Sequence, residues 1–157
     1  MTVNFTDALQ VKGGDIERPA LLPVGTYRAV VDKIPAFDVI GDGKWDTVDF
    51  PMKVVEAGED VDAEALAAFG PLTNVRLRRR FMFSKAEEDS TSNDQSMFNL
   101  RRFLEDHLLI DGFQKKTLKQ SLADAVGQQC LIYVRWRADK NDAEIQYAEI
   151  GKTLPLE

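Results

Sequence analysis

The sequence predicts a mainly β protein with helices, an α+β chain of five strands with a helix or helix pair between strands three and four. Three observations carry that expectation. Residues 75–83 read Val-Arg-Leu-Arg-Arg-Arg-Phe-Met-Phe. As a strand they put Val75, Leu77, Phe81 and Phe83 on one face with Arg79, and Arg76, Arg78 and Arg80 on the other with Met82. A helix would scatter the same apolar residues around its circumference. Residues 26–33, 45–55, 129–137 and 143–150 also alternate with a period of two between turn residues. The longest helical spacing falls in residues 96–109 and 117–126, between the third and fourth of these strands.

Residues 1–22 hold no sustained period. Val3, Phe5, Ala8 and Leu9 suit one short amphipathic or strand-like segment, which Gly13, Gly14 and Pro19 break, so the stretch reads as an N-terminal arm that wraps the domain or reaches a neighbour. A turn at 23–25 opens the first strand, with Tyr27, Ala29 and Val31 opposite Arg28, Val30 and Asp32, and Pro35 ends it. Residues 40–44, Ile-Gly-Asp-Gly-Lys, form a hairpin connection. In the second strand Val48, Phe50, Met52 and Val54 make the core face, Trp45, Thr47, Asp49 and Lys53 face the other way, and Pro51 marks a bulge or an edge. Residues 56–69 are an acidic insertion in which Asp60 and Asp62 precede a short helix ended by Gly70 and Pro71.

After the arginine strand, residues 85–95 have the polar composition of a mobile loop. Ser96 is an N-cap for a helix to residue 109, with Met97, Leu100, Leu104 and Leu108 on one stripe and Phe103 beside them. Residues 117–126 form a second helix carrying Leu118, Leu122 and Ala125, closed by Gly127. The fourth strand turns Cys130, Ile132, Val134 and Trp136 to one side and Tyr133, Arg135 and Arg137 to the other, and residues 140–142 join it to the fifth in a hairpin. Residues 152–157 make a short unstructured tail. Strand, strand, strand, helices, strand, strand is the order of the five-stranded OB barrel.

A length of 157 residues predicts one domain, residues 23–151 between arm and tail, with core enough to stand without disulfides or a structural metal. The lone Cys130 can form no internal bridge, which suits a reducing cytoplasm. No run of roughly eighteen apolar residues and no cleavable leader is present, so a soluble, unprocessed chain is expected, with no membrane role. The formal net charge of −6 argues against an indiscriminate polyanion binder. Its distribution is uneven: residues 1–70 hold 6 Lys and Arg against 13 Asp and Glu, and residues 71–157 hold 14 against 13. Local field steers a polyanion more than net charge does.

Catalytic patterns are weak, and no enzyme is expected. The single histidine, His107, reads as a surface residue near a helix C-terminus and Cys130 as a small buried thiol, which does not make a catalytic pair. Too few ligands exist for zinc. Asp38, Asp42, Asp46 and Asp49 lack calcium-loop spacing and read as a solvated acidic edge, leaving a metal-dependent hydrolase the least favoured class. Residues 11–15 have neither the length nor the context of a phosphate-binding loop. No cofactor or metal is expected.

Basic and aromatic residues interleaved on strands remain. Single strands are held by cationic grooves along the phosphates and by aromatic faces on which bases stack, each stack worth about 1–3 kcal/mol. Arg76, Arg78, Arg80, Arg135 and Arg137 supply the cations; Tyr133, Trp45 and Tyr147 supply the faces. The bland alternative makes the arginines a solvated face and the aromatics core.

The turn at 22–27 (Leu-Pro-Val-Gly-Thr-Tyr), the helix at 98–104 (Phe-Asn-Leu-Arg-Arg-Phe-Leu) and residues 122–127 leading into 130–134 (Cys-Leu-Ile-Tyr-Val) resemble the single-stranded DNA-binding proteins of tailed bacteriophages, by layout over residues 21–150. The resemblance implies an OB fold and a role in coating DNA during phage replication or recombination, in the cytoplasm of the infected host, with phage or host replication proteins as further partners. Many such proteins end in an acidic tail that competes with DNA; here residues 153–157 carry one acid, and residues 56–64 or 87–89 are the candidates for that task. Deleting either is expected to tighten DNA binding. The arm and the exposed sheet edges leave room for a homodimer. The competing expectation is a phage β-barrel interaction protein, a virion component or an acidic DNA-mimic inhibitor, with no DNA binding.

Overall fold

A computed structural model describes residues 5–15 and 18–156. In chain order the elements are α1 (Phe5–Ala8), β1 (Gly25–Val31), β2 (Ala36–Ile40), β3 (Trp45–Ala57), α2 (Ala63–Phe69), β4 (Arg76–Ser84), α3 (Ser90–Arg102), α4 (Leu118–Asp124), β5 (Gln129–Ala138) and β6 (Gln146–Leu154). The protein is mixed α+β around one six-stranded antiparallel sheet that does not close.

The long β3 organises the sheet. Its first residues pair with β2 and its last with β1, so β2 and β1 lie end to end along one edge, while β4 runs along the other. β1 then pairs with β5, and β5 with β6. β4 and β6 approach within 8 Å between Cα atoms without a hydrogen-bonded ladder, which leaves a seam.

Alternation places the core. Tyr27, Ala29 and Val31 from β1, Val48, Phe50, Met52 and Val54 from β3, and Cys130, Ile132 and Val134 from β5 are all buried. Phe50, Phe81 and Phe103 form an aromatic cluster with centroids 4.9–5.8 Å apart, Phe50 meeting the other two edge-on, a geometry that adds about 0.5–1.5 kcal/mol per pair beyond area burial. Gly25 sits at φ +146°, where a Cβ would meet Val61 Cγ2 at 2.6 Å, so the start of β1 packs against the loop before α2 only as glycine. Asp60 secures the same corner, accepting from Thr26 N at 2.9 Å and Thr26 Oγ1 at 2.8 Å. Those bonds hold its carboxyl below the usual range. Burial, then Asp60's charge, pushes the Tyr27 hydroxyl, which donates to Pro23 O, up to about 12.

Several expectations need correction. A sixth strand exists, because residues 36–40 pair with β3 although Pro35 precedes them. Pro51 lies within β3; its carbonyl accepts from Asp32 N at 3.2 Å, where β1 has ended and β2 has not begun, so the donor proline lacks has no ladder partner to lose. Residues 90–95 are helical, not loop, because Asn93 holds both Ser84 N and Ser84 O and Asp89 accepts from Ser84 Oγ. Ser96 is therefore inside α3 and caps nothing. After Arg102 the helix widens into a π turn, Phe103–His107, with Leu108 N bonded to Phe103 O at 2.8 Å. Phe103, Leu104 and Leu108 are buried, whereas Met97 is left exposed.

Thr117, rather than opening α4, caps it, in a capping box with Gln120. Thr47 is buried although it faces away from the core. Trp136 follows the alternation but lies beyond the core, 47% exposed, its Nε1 donating to Leu22 O. Residues 152–154, read as tail, belong to β6, and Thr153 is buried. Within the expected arm α1 and a 3-10 turn (Gly13–Asp15) form, Leu9 and Val11 are exposed, and Val3 lies outside the described residues. Among the described residues no helix is long and apolar enough to cross a membrane.

Candidate nucleic-acid interface

Register decides what the arginine row of β4 meets. Arg76 stands opposite Lys53, Arg78 opposite Pro51 and Arg80 opposite Asp49. Arg80 forms a two-pronged pair with Asp49 at 2.7 and 2.9 Å, a geometry stronger than a single contact. Bonding to Asp49 pushes its guanidinium further up. Arg76 Nε donates to Asp32 at 2.8 Å. Arg78, across from a proline, forms no ion pair among the described residues and is exposed. The expected open row is thus one free arginine between two paired ones. The partners are Asp32 and Asp49, not the acidic segment 56–64, whose Asp60 and Asp62 are committed to Thr26 and to the N-cap of α2.

The β5–β6 hairpin gathers the rest. Arg135 pairs in register with Glu149 and Arg137 with Tyr147, which places both arginines, Tyr133 and Tyr147 on one face. Glu149 accepts from Arg135 Nε at 3.0 Å and from Arg137 Nε at 2.9 Å. Two cations thus share one carboxylate. Tyr133 carries Lys152 Nζ over its ring at 5.6 Å. Tyr147 is exposed and donates to Asp139 Oδ2 at 3.1 Å, which pushes its hydroxyl up. Trp45 starts β3 at the other end of the sheet, half-buried against the hairpin turn, beside Lys44 and Lys85. The eight expected residues therefore fall in two groups, β4 with Trp45 on β3 and the β5–β6 hairpin, on either side of the β4–β6 seam.

Sequence reasoning placed Arg79 on the apolar face of β4 but gave it no task. Its guanidinium lies over the Phe81 ring at 4.6 Å, and its buried Nε has no hydrogen-bond partner among the described residues. An arginine on an otherwise apolar strand face was the available signal. His107, expected at the surface, is half-buried with Nδ1 bonded to Thr153 Oγ1 at 2.7 Å. Burial, then the charge of Arg102, holds its pKa below the ordinary histidine range. Burial pushes the Cys130 thiol up to about 12, away from the reactive thiolate. The acidic run divides, with Asp49 on Arg80 and Asp46 on Lys85, and no group of three or more His, Cys, Asp or Glu among the described residues converges to hold a metal ion.

Compared with known proteins, the chain matches no protein-family model and no curated protein.

Proposed function

We propose that this chain is a non-enzymatic OB-type protein that binds single-stranded DNA with little sequence preference, of the kind tailed bacteriophages use in replication or recombination. The observation that carries the reading is the connectivity. β1 pairs with β3 and β5, β3 with β4, and β5 with β6, and α3 and α4 fall between β4 and β5. An OB barrel has that order, with β2 here prolonging β1 along β3. Phosphates would meet Arg78 directly and Arg76, Arg80, Arg135 and Arg137 by exchange for Asp32, Asp49 and Glu149. Exchange is affordable at the exposed pairs, since an ion pair in water contributes only about 0–1 kcal/mol. Tyr133, Tyr147 and Trp45 offer faces for stacking.

The test is fluorescence anisotropy of a labelled oligo-dT strand, about thirty bases long to span several binding footprints, at low and moderate salt with equal-length duplex as control. Saturable binding that prefers the single strand and weakens with salt is expected, because neutralised phosphates release counterions. Absence of binding at low salt would end the reading. The weight would then fall on an interaction protein, which one observation favours: Ile34, Phe37 and Val39, in and just before β2, are exposed apolar side chains, Phe37 at 70%.

A further inference from the structure

The seam between β4 and β6 holds a cavity of about 290 Å³. Arg79 enters it from the core side of β4 and Arg102 from the end of α3, with Asn99, His107 and Thr153 completing the polar wall and the backbone of β6 at residues 151–154 closing it, the Lys152 ammonium being turned to the outer face over Tyr133. Among the described residues no aspartate or glutamate lines it. Six other arginines of the chain, at 28, 76, 80, 101, 135 and 137, each form an ion pair, whereas Arg79 and Arg102 form none among the described residues. Two cations facing one cavity without an anion among the described residues repel one another, and a half-buried guanidinium whose Nε has no acceptor there forfeits hydration without recompense.

From this we infer that the β4–β6 seam is an oxyanion site that takes a phosphate monoester, with Arg79 and Arg102 as its cations and Asn99 as a neutral donor. Arg79's stack on Phe81 holds the guanidinium in place, so little freedom is lost on binding. A dianion suits the charge, and a tetrahedral phosphate group suits a space with room for roughly ten waters at about 30 Å³ each. The influence of Arg102 and Arg79 on His107 agrees with cations concentrated at this point; Asp106, on the helix side, opposes them. The site is separate from the outer-face residues proposed to hold DNA and does not depend on that reading. The same chemistry is presented by a free phosphate or mononucleotide and by the terminal phosphate of a strand.

Titration of the full chain with inorganic phosphate, followed by amide NMR, tests the inference. Saturable shifts are expected at the Gly151 and Thr153 amides and the Asn99 side chain, with affinity weakened about tenfold by Arg102→Ala, an exposed helix-end change that spares the core, and at least as much by Arg79→Gln. Thymidine 5′-monophosphate and oligo-dT with or without a 5′-phosphate separate the sources. Tighter binding of the phosphorylated oligomer at the same amides assigns a strand end, and equal response to phosphate and mononucleotide with none specific to the oligomer end assigns a free ligand. No shifts at millimolar phosphate, or shifts indifferent to both substitutions, would overturn the site, whatever the outcome of oligo-dT binding.

Discussion

The two faces of β4 treat arginine in opposite ways. On the outer face Arg76 and Arg80 find carboxylates across the ladder or at its end, while on the inner face Arg79 finds an aromatic ring and, among the described residues, no acid. Residue type is the same and positions are adjacent. The difference lies in what β3, the segment after β1 and the seam bring opposite each side chain, so a run of like charges on a strand is two populations, not one.

The largest effect is expected at the ring that supports the inner arginine. Phe81→Ala should cost about 3–5 kcal/mol in urea unfolding, since it empties the Phe50–Phe81–Phe103 cluster as well as removing Arg79's stack. A loss below about 1 kcal/mol would show that this face is not core. Next, Asp49→Ala leaves the partly buried Arg80 without its two-pronged acceptor and should cost about 1–3 kcal/mol, whereas Asp32→Ala, beside the more exposed Arg76, should cost less than about 1 kcal/mol. Equal losses would erase the contrast between the two pairs.

On DNA, Arg78→Ala should weaken oligo-dT binding about three- to tenfold and lower the salt slope by about 0.7, more than Arg76→Ala does, because only Arg78 is free of a carboxylate. Anisotropy at several salt concentrations reads both. Arg79→Met should leave stability in phosphate-free buffer within about 1 kcal/mol of the parent, since an unpaired guanidinium is exchanged for an apolar chain of similar length. The smallest effect is a pH slope. His107 sits below its ordinary pKa in the fold, so as pH falls the unfolded chain takes up the proton first. The stability tied to the neutral imidazole is complete above about pH 6.5 and is lost as pH drops through the folded-state pKa. His107→Gln should flatten that part of the fall, read from melting temperatures at about pH 7.5 and 5.5.

Period-two alternation was enough to find the core faces of β1, β3 and β5, because an interior wall selects against every polar intruder along a strand. It failed where that wall ends. Trp136 continues the pattern past Val134 into solvent, and residues 36–40 have their apolar side, Phe37 and Val39, exposed. Composition misread residues 90–95, whose helix is fixed by Asn93 clasping the Ser84 backbone at the end of β4, a contact that polar composition does not announce. The arginine row was legible as a row and illegible as a charge pattern, because Asp32 and Asp49 reach it only through strand pairing over 44 and 31 residues of chain. That Arg79 and Arg102 face one cavity was illegible for the same reason. Their meeting is a property of the seam, and a seam has no sequence of its own.

Pro51 has a consequence for how this chain could be re-cut. Because β3 meets the β1–β2 break at a residue with no amide hydrogen, no ladder bond spans residues 33–35, and Lys33 and Ile34 are exposed. The sheet loses none of its pairing if the backbone is opened there, which makes that short stretch the natural place for a circular permutation or a grafted domain.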